Sequence, residues 1–312
     1  LCLVGSEMCI RDRGYAKTQS LEVYRSQRRG GVGKTAASVK DEDFVEQLIV
    51  ANTHSTLLCF SNLGKVYWLK VYQIPAASRV AKGRPLINLI NLDEGERITS
   101  LLNVESFEEP GFVFMATKKG VVKKTSLDEF KRQWKVGKKA IKLDPDDELV
   151  GSTLTDGEKF IMLVSQSGKA VFFDEKEARS MGRAARGVKG INLAKDDQVI
   201  SLLVPEKENT IFTVSENGYG KRTNVDDFRK TRRGAKGVIA MQTSDRNGLL
   251  IGANQVIEDQ EIMLISNKGT LVRTKVDQIN VIGRNTQGVT VIKLKDSEKL
   301  VGLASIIEDT DD

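Results

Sequence analysis

Short apolar runs rich in β-branched residues recur along the chain, each closed by Ser or Thr, two polar residues and glycine. A second run containing Lys or Arg follows in most of them. The instances are Leu57-Leu-Cys-Phe-Ser-Asn-Leu-Gly64, Val113-Phe-Met-Ala-Thr-Lys-Lys-Gly120, Ile161-Met-Leu-Val-Ser-Gln-Ser-Gly168, Ile211-Phe-Thr-Val-Ser-Glu-Asn-Gly218 and Ile262-Met-Leu-Ile-Ser-Asn-Lys-Gly269. Runs this short, bounded by turn residues, predict strands rather than helices, and the four-residue spacer predicts a tight hairpin. Glycine suits the last turn position because positive φ strains any residue that carries a Cβ.

Gly14 in Gly-Tyr-Ala-Lys17 is a sixth copy, matching Gly218-Tyr-Gly-Lys221, although the strand expected before it is replaced by an unrelated opening. Successive glycines stand 50, 56, 48, 50 and 51 residues apart. Later in each unit come another apolar strand, such as Gly237–Met241 or Gly288–Ile292, and a last one, such as Val199–Val204 or Leu300–Ala304. A period this long, without sustained helical periodicity, predicts an all-β propeller-type array with four strands per unit. Helix is expected only in short pieces at 41–47 and 174–178.

Charge changes the picture more than overall composition does. Lys plus Arg exceed Asp plus Glu by only six, 48 against 42. Between the second and third strands of every unit, however, lies a loop rich in Arg and Lys. The stretches 25–40, 79–84, 131–142, 179–190, 229–237 and 284–293 hold 25 of the basic residues and no acidic one. Even scattering would put about nine acids there. Equivalent positions in a ring of repeats would bring these loops to one rim as a curved cationic belt, an electrostatic footprint of duplex DNA.

The first loop carries Gln27, Arg28, Arg29, Gly30, Gly31, Val32, Gly33 and Lys34. Its arginines offer forked donors for phosphate oxygens, and its glycines let backbone amides approach the same surface. Corresponding DNA-binding candidates are Arg79, Lys82 and Arg84 in the second loop and Lys135, Lys138 and Lys139 in the third. The fourth contributes Arg183, Arg186 and Lys189, the fifth Arg232, Arg233 and Lys236, and the sixth Arg284. Trp134, set among lysines and arginines, either stacks on nucleic acid or packs onto its own blade, the second being the better reading.

The first loop resembles the Gln-Arg-Arg-Gly-Gly-Lys-Gly box of the C-terminal DNA-wrapping domains of bacterial gyrase A subunits. Gly-Tyr-Ala-Lys17, 48–54, 218–223 and 282–289 also resemble that family, so the likeness covers essentially 14–312. Val32 departs from it, standing where the box has a basic residue. The resemblance implies a closed six-bladed β-propeller-like disc, a β-pinwheel, over 14–307. It implies DNA wrapping that gives negative supercoiling its direction, with no catalytic residue here: the cleavage tyrosine would lie in the gyrase A N-terminal catalytic region. It further implies no cofactor or metal in this chain, ATP and Mg being used through a gyrase B subunit in an A2B2 assembly, and a place in the cytoplasm with the bacterial chromosome. The matching domain of topoisomerase IV is the nearest alternative, and a protein-scaffolding propeller a more distant one.

A different class is suggested by Arg29-Gly-Gly-Val-Gly-Lys-Thr35, which resembles the deviant phosphate loop of partitioning ATPases. Such a loop joins a buried strand to a helix, whereas Tyr24-Arg-Ser-Gln27 is polar and no α/β alternation follows, which argues against nucleotide binding.

Residues 1–13 match nothing downstream, lack the features of a signal peptide and resemble translated sequencing-adapter sequence, so they are set apart as foreign to the domain. Residues 308–312 carry four acids and read as the start of an acidic tail. Cys59 lies in an apolar run and reads as a buried strand thiol, and a single histidine, His54, leaves little material for metal or dyad chemistry. No apolar run reaches the roughly 20 residues of a membrane span.

Overall fold

In each hairpin the first strand is apolar at consecutive positions, which suits a sheet covered on both faces. The computed structural model describes residues 5–11, 15–20, 45–76, 84–85, 88–134, 136–268, 270–295 and 297–306. It shows where each face goes. In the strand Thr56–Ser61 every residue is buried, Leu57 and Cys59 joining one apolar cluster while Leu58 and Phe60 join the next. The same split recurs in 160–165, where Ile161 and Leu163 face one cluster and Met162 and Val164 another. The cores therefore lie between sheets, and burying a side chain such as Phe60 contributes about 2–3 kcal/mol.

The described residues form six antiparallel sheets in chain order. The first contains β1 (Gly5–Arg11), β2 (Tyr15–Ser20), β3 (Val45–Asn52) and β6 (Arg84–Pro85). The second contains β4 (Thr56–Ser61), β5 (Lys65–Lys70), β7 (Ile98–Val104) and β10 (Lys138–Lys139). The third has β8 (Phe112–Thr117), β9 (Val121–Ser126), β11 (Leu149–Thr155) and β14 (Val188–Lys189). The fourth has β12 (Phe160–Ser165), β13 (Lys169–Asp174), β15 (Val199–Leu203) and β18 (Val238–Ile239). The fifth has β16 (Thr210–Ser215), β17 (Tyr219–Asn224), β19 (Leu250–Val256) and β22 (Val289–Thr290). The sixth has β20 (Glu261–Ser266), β21 (Leu271–Lys275) and β23 (Leu300–Ile306).

Each four-stranded sheet borrows its last strand. β10, for instance, follows the third hairpin in sequence but pairs with β5 of the second sheet, Lys138 opposite Val66. β14, β18 and β22 cross over in the same way. The opposite edge strands pack against one another in order: β7 on β11, β11 on β15, β15 on β19, β19 on β23, and β23 on β3. The arrangement is an all-β propeller with these edge strands inward and the borrowed strands outward.

The structure departs from the sequence expectations at four points. Among the described residues the third strand of a unit pairs over only two residues, since the rest of Gly237–Met241 or Gly288–Ile292 turns away to seat on a neighbouring hairpin. The sixth sheet has three strands among the described residues rather than four. Of the two predicted helices, Val45–Gln47 belongs to β3, with 41–44 outside the described residues, and Glu175–Glu177 is a 3-10 turn. Finally, the place of the missing first strand is taken by Gly5–Arg11, which pairs with β2 and β3.

Hairpin glycines dock the chain as well as turn it. Gly168 has φ +83, and a Cβ there would lie 2.1 Å from the Met241 carbonyl oxygen. Its own carbonyl accepts from the amides of Ala240 and Met241. Gly168→Ala is expected to cost at least about 2 kcal/mol, combining left-handed strain with a backbone clash, read as a lower urea midpoint at unchanged m.

Candidate nucleic-acid interface

Because the borrowed strand is the outermost of its sheet and lies within or directly after a basic loop, the third to sixth loops run along the perimeter. The glycine that closes the fifth loop is constrained by packing. Gly237 has φ +78, and a Cβ on it would meet the Ala170 carbonyl oxygen at 2.4 Å. In the fifth repeat this glycine thus seats the loop on the preceding sheet, a role different from cradling phosphate.

The predicted cations divide into two groups. Exposed ones are Lys139, Arg186, Lys189, Arg232 and Lys236. Arg186 pairs with Asp144, and the Lys189 Nζ donates to the Asn192 Oδ1 at 3.4 Å. Arg232 and Lys236 form no ion pair among the described residues.

The other group is half-buried, and two of its arginines tie their loop to the preceding repeat. Arg233 donates from Nε to the Glu177 carbonyl at 3.0 Å and from a terminal nitrogen to the Lys189 carbonyl at 2.6 Å. Arg284, at the equivalent place one repeat later, reaches the Asp227 and Ile239 carbonyls, both at 3.2 Å. Arg183 occupies the same position, its Nε buried without a hydrogen-bond partner. Lys138 lies over the Trp134 ring at 4.2 Å, and Arg132 also sits 4.2 Å from that ring. Trp134 is therefore half-buried and stacked against cations of its own loop.

Gln27, Arg28, Arg29, Gly30, Gly31, Val32, Gly33, Lys34, Arg79, Lys82 and Lys135 lie outside the described residues, and Arg84 is described by its backbone in β6 alone.

Sequence reasoning missed the basic residues of the second hairpin strands. Lys123 and Lys221 are fully buried. The Lys123 Nζ donates to the carbonyls of Ala140, at 2.6 Å, and Arg183. The Lys221 Nζ donates to the carbonyls of Gly283, at 2.8 Å, and Arg284. One residue later, Trp68, Lys124 and Arg222 each donate to a carbonyl of the next repeat's 3-10 turn or its end, those of Phe130, Glu175 and Ile279. The available signal was a basic residue at a fixed distance after glycine inside an otherwise buried strand.

Burial pushes Lys123 down to about 7, partly opposed by Glu129, and Lys221 down to about 8, with Arg284 reinforcing the shift. An unfolded lysine keeps its proton to about 10.5. Above pH 7 the unfolded chain therefore binds more protons than the native one, and stability rises with pH. Above about 9 buried Cys59, whose thiol burial pushes up to about 12, works in the opposite sense. The melting temperature is expected to rise between pH 6.5 and 9, and Lys123→Met to flatten that rise.

Every named strand pair is antiparallel, and the stretch 29–35 that resembles a phosphate loop lies outside the described residues. His54 is an exposed turn residue whose amide donates to Asn52 Oδ1.

A family model described as "DNA gyrase C-terminal domain, beta-propeller" matches the chain in six segments, 12–52, 55–105, 111–156, 159–206, 209–256 and 260–307. The chain is 52% identical over 300 residues to the DNA gyrase A subunit of Salmonella typhimurium, covering 96% of this chain and 34% of that protein. It is 58% identical over 295 residues to the DNA gyrase A subunit of Buchnera aphidicola subsp. Acyrthosiphon pisum, covering 95% and 36%. It thus spans about a third of the length of these curated relatives. Among solved structures, the C-terminal domain of a DNA topoisomerase IV matches with TM-score 0.83 and 27% identity over 97% of this chain and 93% of that one. A DNA gyrase A C-terminal domain matches with TM-score 0.76 and 27% identity over 97% and 100%.

Proposed function

Since this chain belongs to the DNA gyrase C-terminal domain family of β-propellers, we propose that it binds duplex DNA along its perimeter and bends it, so that strand passage by a gyrase acquires a direction. The observation that carries this reading is the crossover of each borrowed strand, which sets acid-free basic loops at the outer edge of consecutive sheets. Bending a site by tens of degrees costs roughly 1–6 kcal/mol, which phosphate contacts spread over several loops offset. No base-reading helix or ribbon projects from the described residues, so preference among sequences should follow deformability.

The finer architecture is a disc of six blades, supported by six family segments and by β23 lying against β3. Gyrase is favoured over topoisomerase IV by identities near 50% to gyrase A subunits and by the nearly intact first box. In the full assembly this domain would work with the gyrase A catalytic region and a gyrase B subunit using ATP and Mg, in the cytoplasm on the chromosome. Among the described residues no helix is long and apolar enough to cross a membrane.

Sealing nicked plasmid by ligase in the presence of the protein tests wrapping. Linking number is expected to shift in proportion to bound protein. Binding without any shift would mean that the perimeter holds DNA but does not bend it.

A further inference from the structure

Two buried ammonium groups face the perimeter from beneath. Lys123 and Lys221 each stand three residues after a hairpin glycine, Gly120 and Gly218. Neither touches solvent; Lys221 spends its donors on the following repeat's basic loop, and Lys123 divides its own between that loop and the Ala140 carbonyl of its own repeat's loop. The acceptors fall at one structural position: the carbonyl of Arg183 for Lys123 and that of Arg284 for Lys221, each four residues before the loop glycine, Gly187 or Gly288. Lys221 also donates to Thr286 Oγ1 at 3.2 Å, while the Thr286 hydroxyl donates to the Gly283 carbonyl at 3.0 Å, so the ammonium sits inside the loop's turn.

The arrangement alternates. In the second and fourth repeats the same register holds Tyr67 and Val171, which offer the next loop a ring face or a methyl group in place of a donor. A Cβ on Gly137 would meet the Tyr67 ring at 2.4 Å, and one on Gly237 would meet Val171 Cγ1 at 3.3 Å. At this register the fourth and sixth loops are therefore held through the Arg183 and Arg284 carbonyls by a lysine of the preceding hairpin, whereas the third and fifth meet a ring and a methyl group. Lys17 has the same register in β2, one residue past the pairing of Ala16 with Arg84.

We propose that Lys123 and Lys221 are positioning residues of the DNA-binding perimeter: each fixes the backbone of the next repeat's loop, so that its cations meet DNA already in place. This deepens the wrapping reading and rests on it. Neither lysine can reach phosphate, so its effect on binding is to spare the loop an ordering cost. The charged groups facing them are Glu129 and Arg183 beside Lys123, and Asp227 and Arg284 beside Lys221. Deprotonation leaves an amine with weaker hold on the same carbonyls.

The test compares the 312-residue chain with its Lys221→Met variant. DNA affinity is expected to fall about fivefold to tenfold, the scale of one or two ordered side chains, with the slope of log K against log salt unchanged. Amide exchange should accelerate across 280–288 and stay unchanged across 179–190, and the decline of wild-type affinity from pH 6.5 to 8.5 should flatten. Lys221→Gln, which keeps a donor, should restore part of the exchange protection. A slope reduced by about 0.9 would show that the lysine itself neutralises a phosphate and overturn the proposal. Unchanged affinity with unchanged loop exchange would overturn it as well. Should Lys221→Met unfold, Lys221→Gln is judged on the same exchange measurement, and fast exchange spread over every loop would refute a local role. Failure of the wild-type chain to bind DNA would instead remove the wrapping reading, while loop exchange still reports on the lysine.

Discussion

Raising salt from 50 to 200 mM is expected to weaken binding of this chain to duplex DNA by about a thousandfold. Six neutralised phosphates, one for each basic loop, correspond to a slope of about −5 in log K against log salt. Random duplexes of equal length should bind within about tenfold of one another, because phosphate contacts carry no sequence information. A slope shallower than about −3 would contradict a perimeter engaged at all six loops. Arg232 and Lys236 are the cleanest probes of this electrostatics, since both are exposed and neither is ion-paired among the described residues. Replacing the two by alanine should reduce the slope by up to about 1.8 and leave the melting temperature nearly unchanged. Arg233 would be a poor substitute. Its guanidinium ties the Glu177 and Lys189 carbonyls, so removing it costs stability along with charge.

The first box is expected to control topology more than affinity. Replacing Arg28, Arg29 and Lys34 with alanine leaves five other basic loops to hold DNA. Grafted onto an otherwise intact gyrase A chain that is then paired with gyrase B, the triple variant should lose ATP-driven negative supercoiling while keeping relaxation and decatenation. On the proposed function, strand passage is the work of the catalytic region, whereas direction depends on how the wrapped segment is presented to it. Supercoiling at the parental rate would make the box an ordinary solvated loop. Loss of relaxation as well would point to faulty assembly.

How the cations sort was only partly legible. Five of the predicted DNA-binding residues are exposed at the perimeter, and the residues of the first box lie outside the described part of the chain. Arg233 and Arg284 carry the same charge in the same motif, yet their donors are spent on carbonyls of the preceding repeat. A motif of alternating arginine and glycine reads identically whether its glycine cradles an anion or, as Gly237 does, seats against the Ala170 carbonyl. Trp134 shows the same ambiguity, its ring lying against Arg132 and Lys138.

What the amino-acid sequence determined by itself is the local order: the hairpin unit, its period, the turn glycines and the exclusion of acids from the basic loops. Each of these depends on residues within a few positions of one another, where strand alternation and positive φ leave a direct trace. Only the tertiary structure decided that each four-stranded sheet takes its outer strand from the next repeat, and that Lys123 and Lys221 are buried. Those outcomes depend on partners distant in sequence, Arg183 lying 60 residues from Lys123 and Arg284 63 from Lys221. Whether a lysine faces water or a carbonyl is set by the neighbour that packs over it, and an ammonium tolerates burial only where such acceptors replace its hydration.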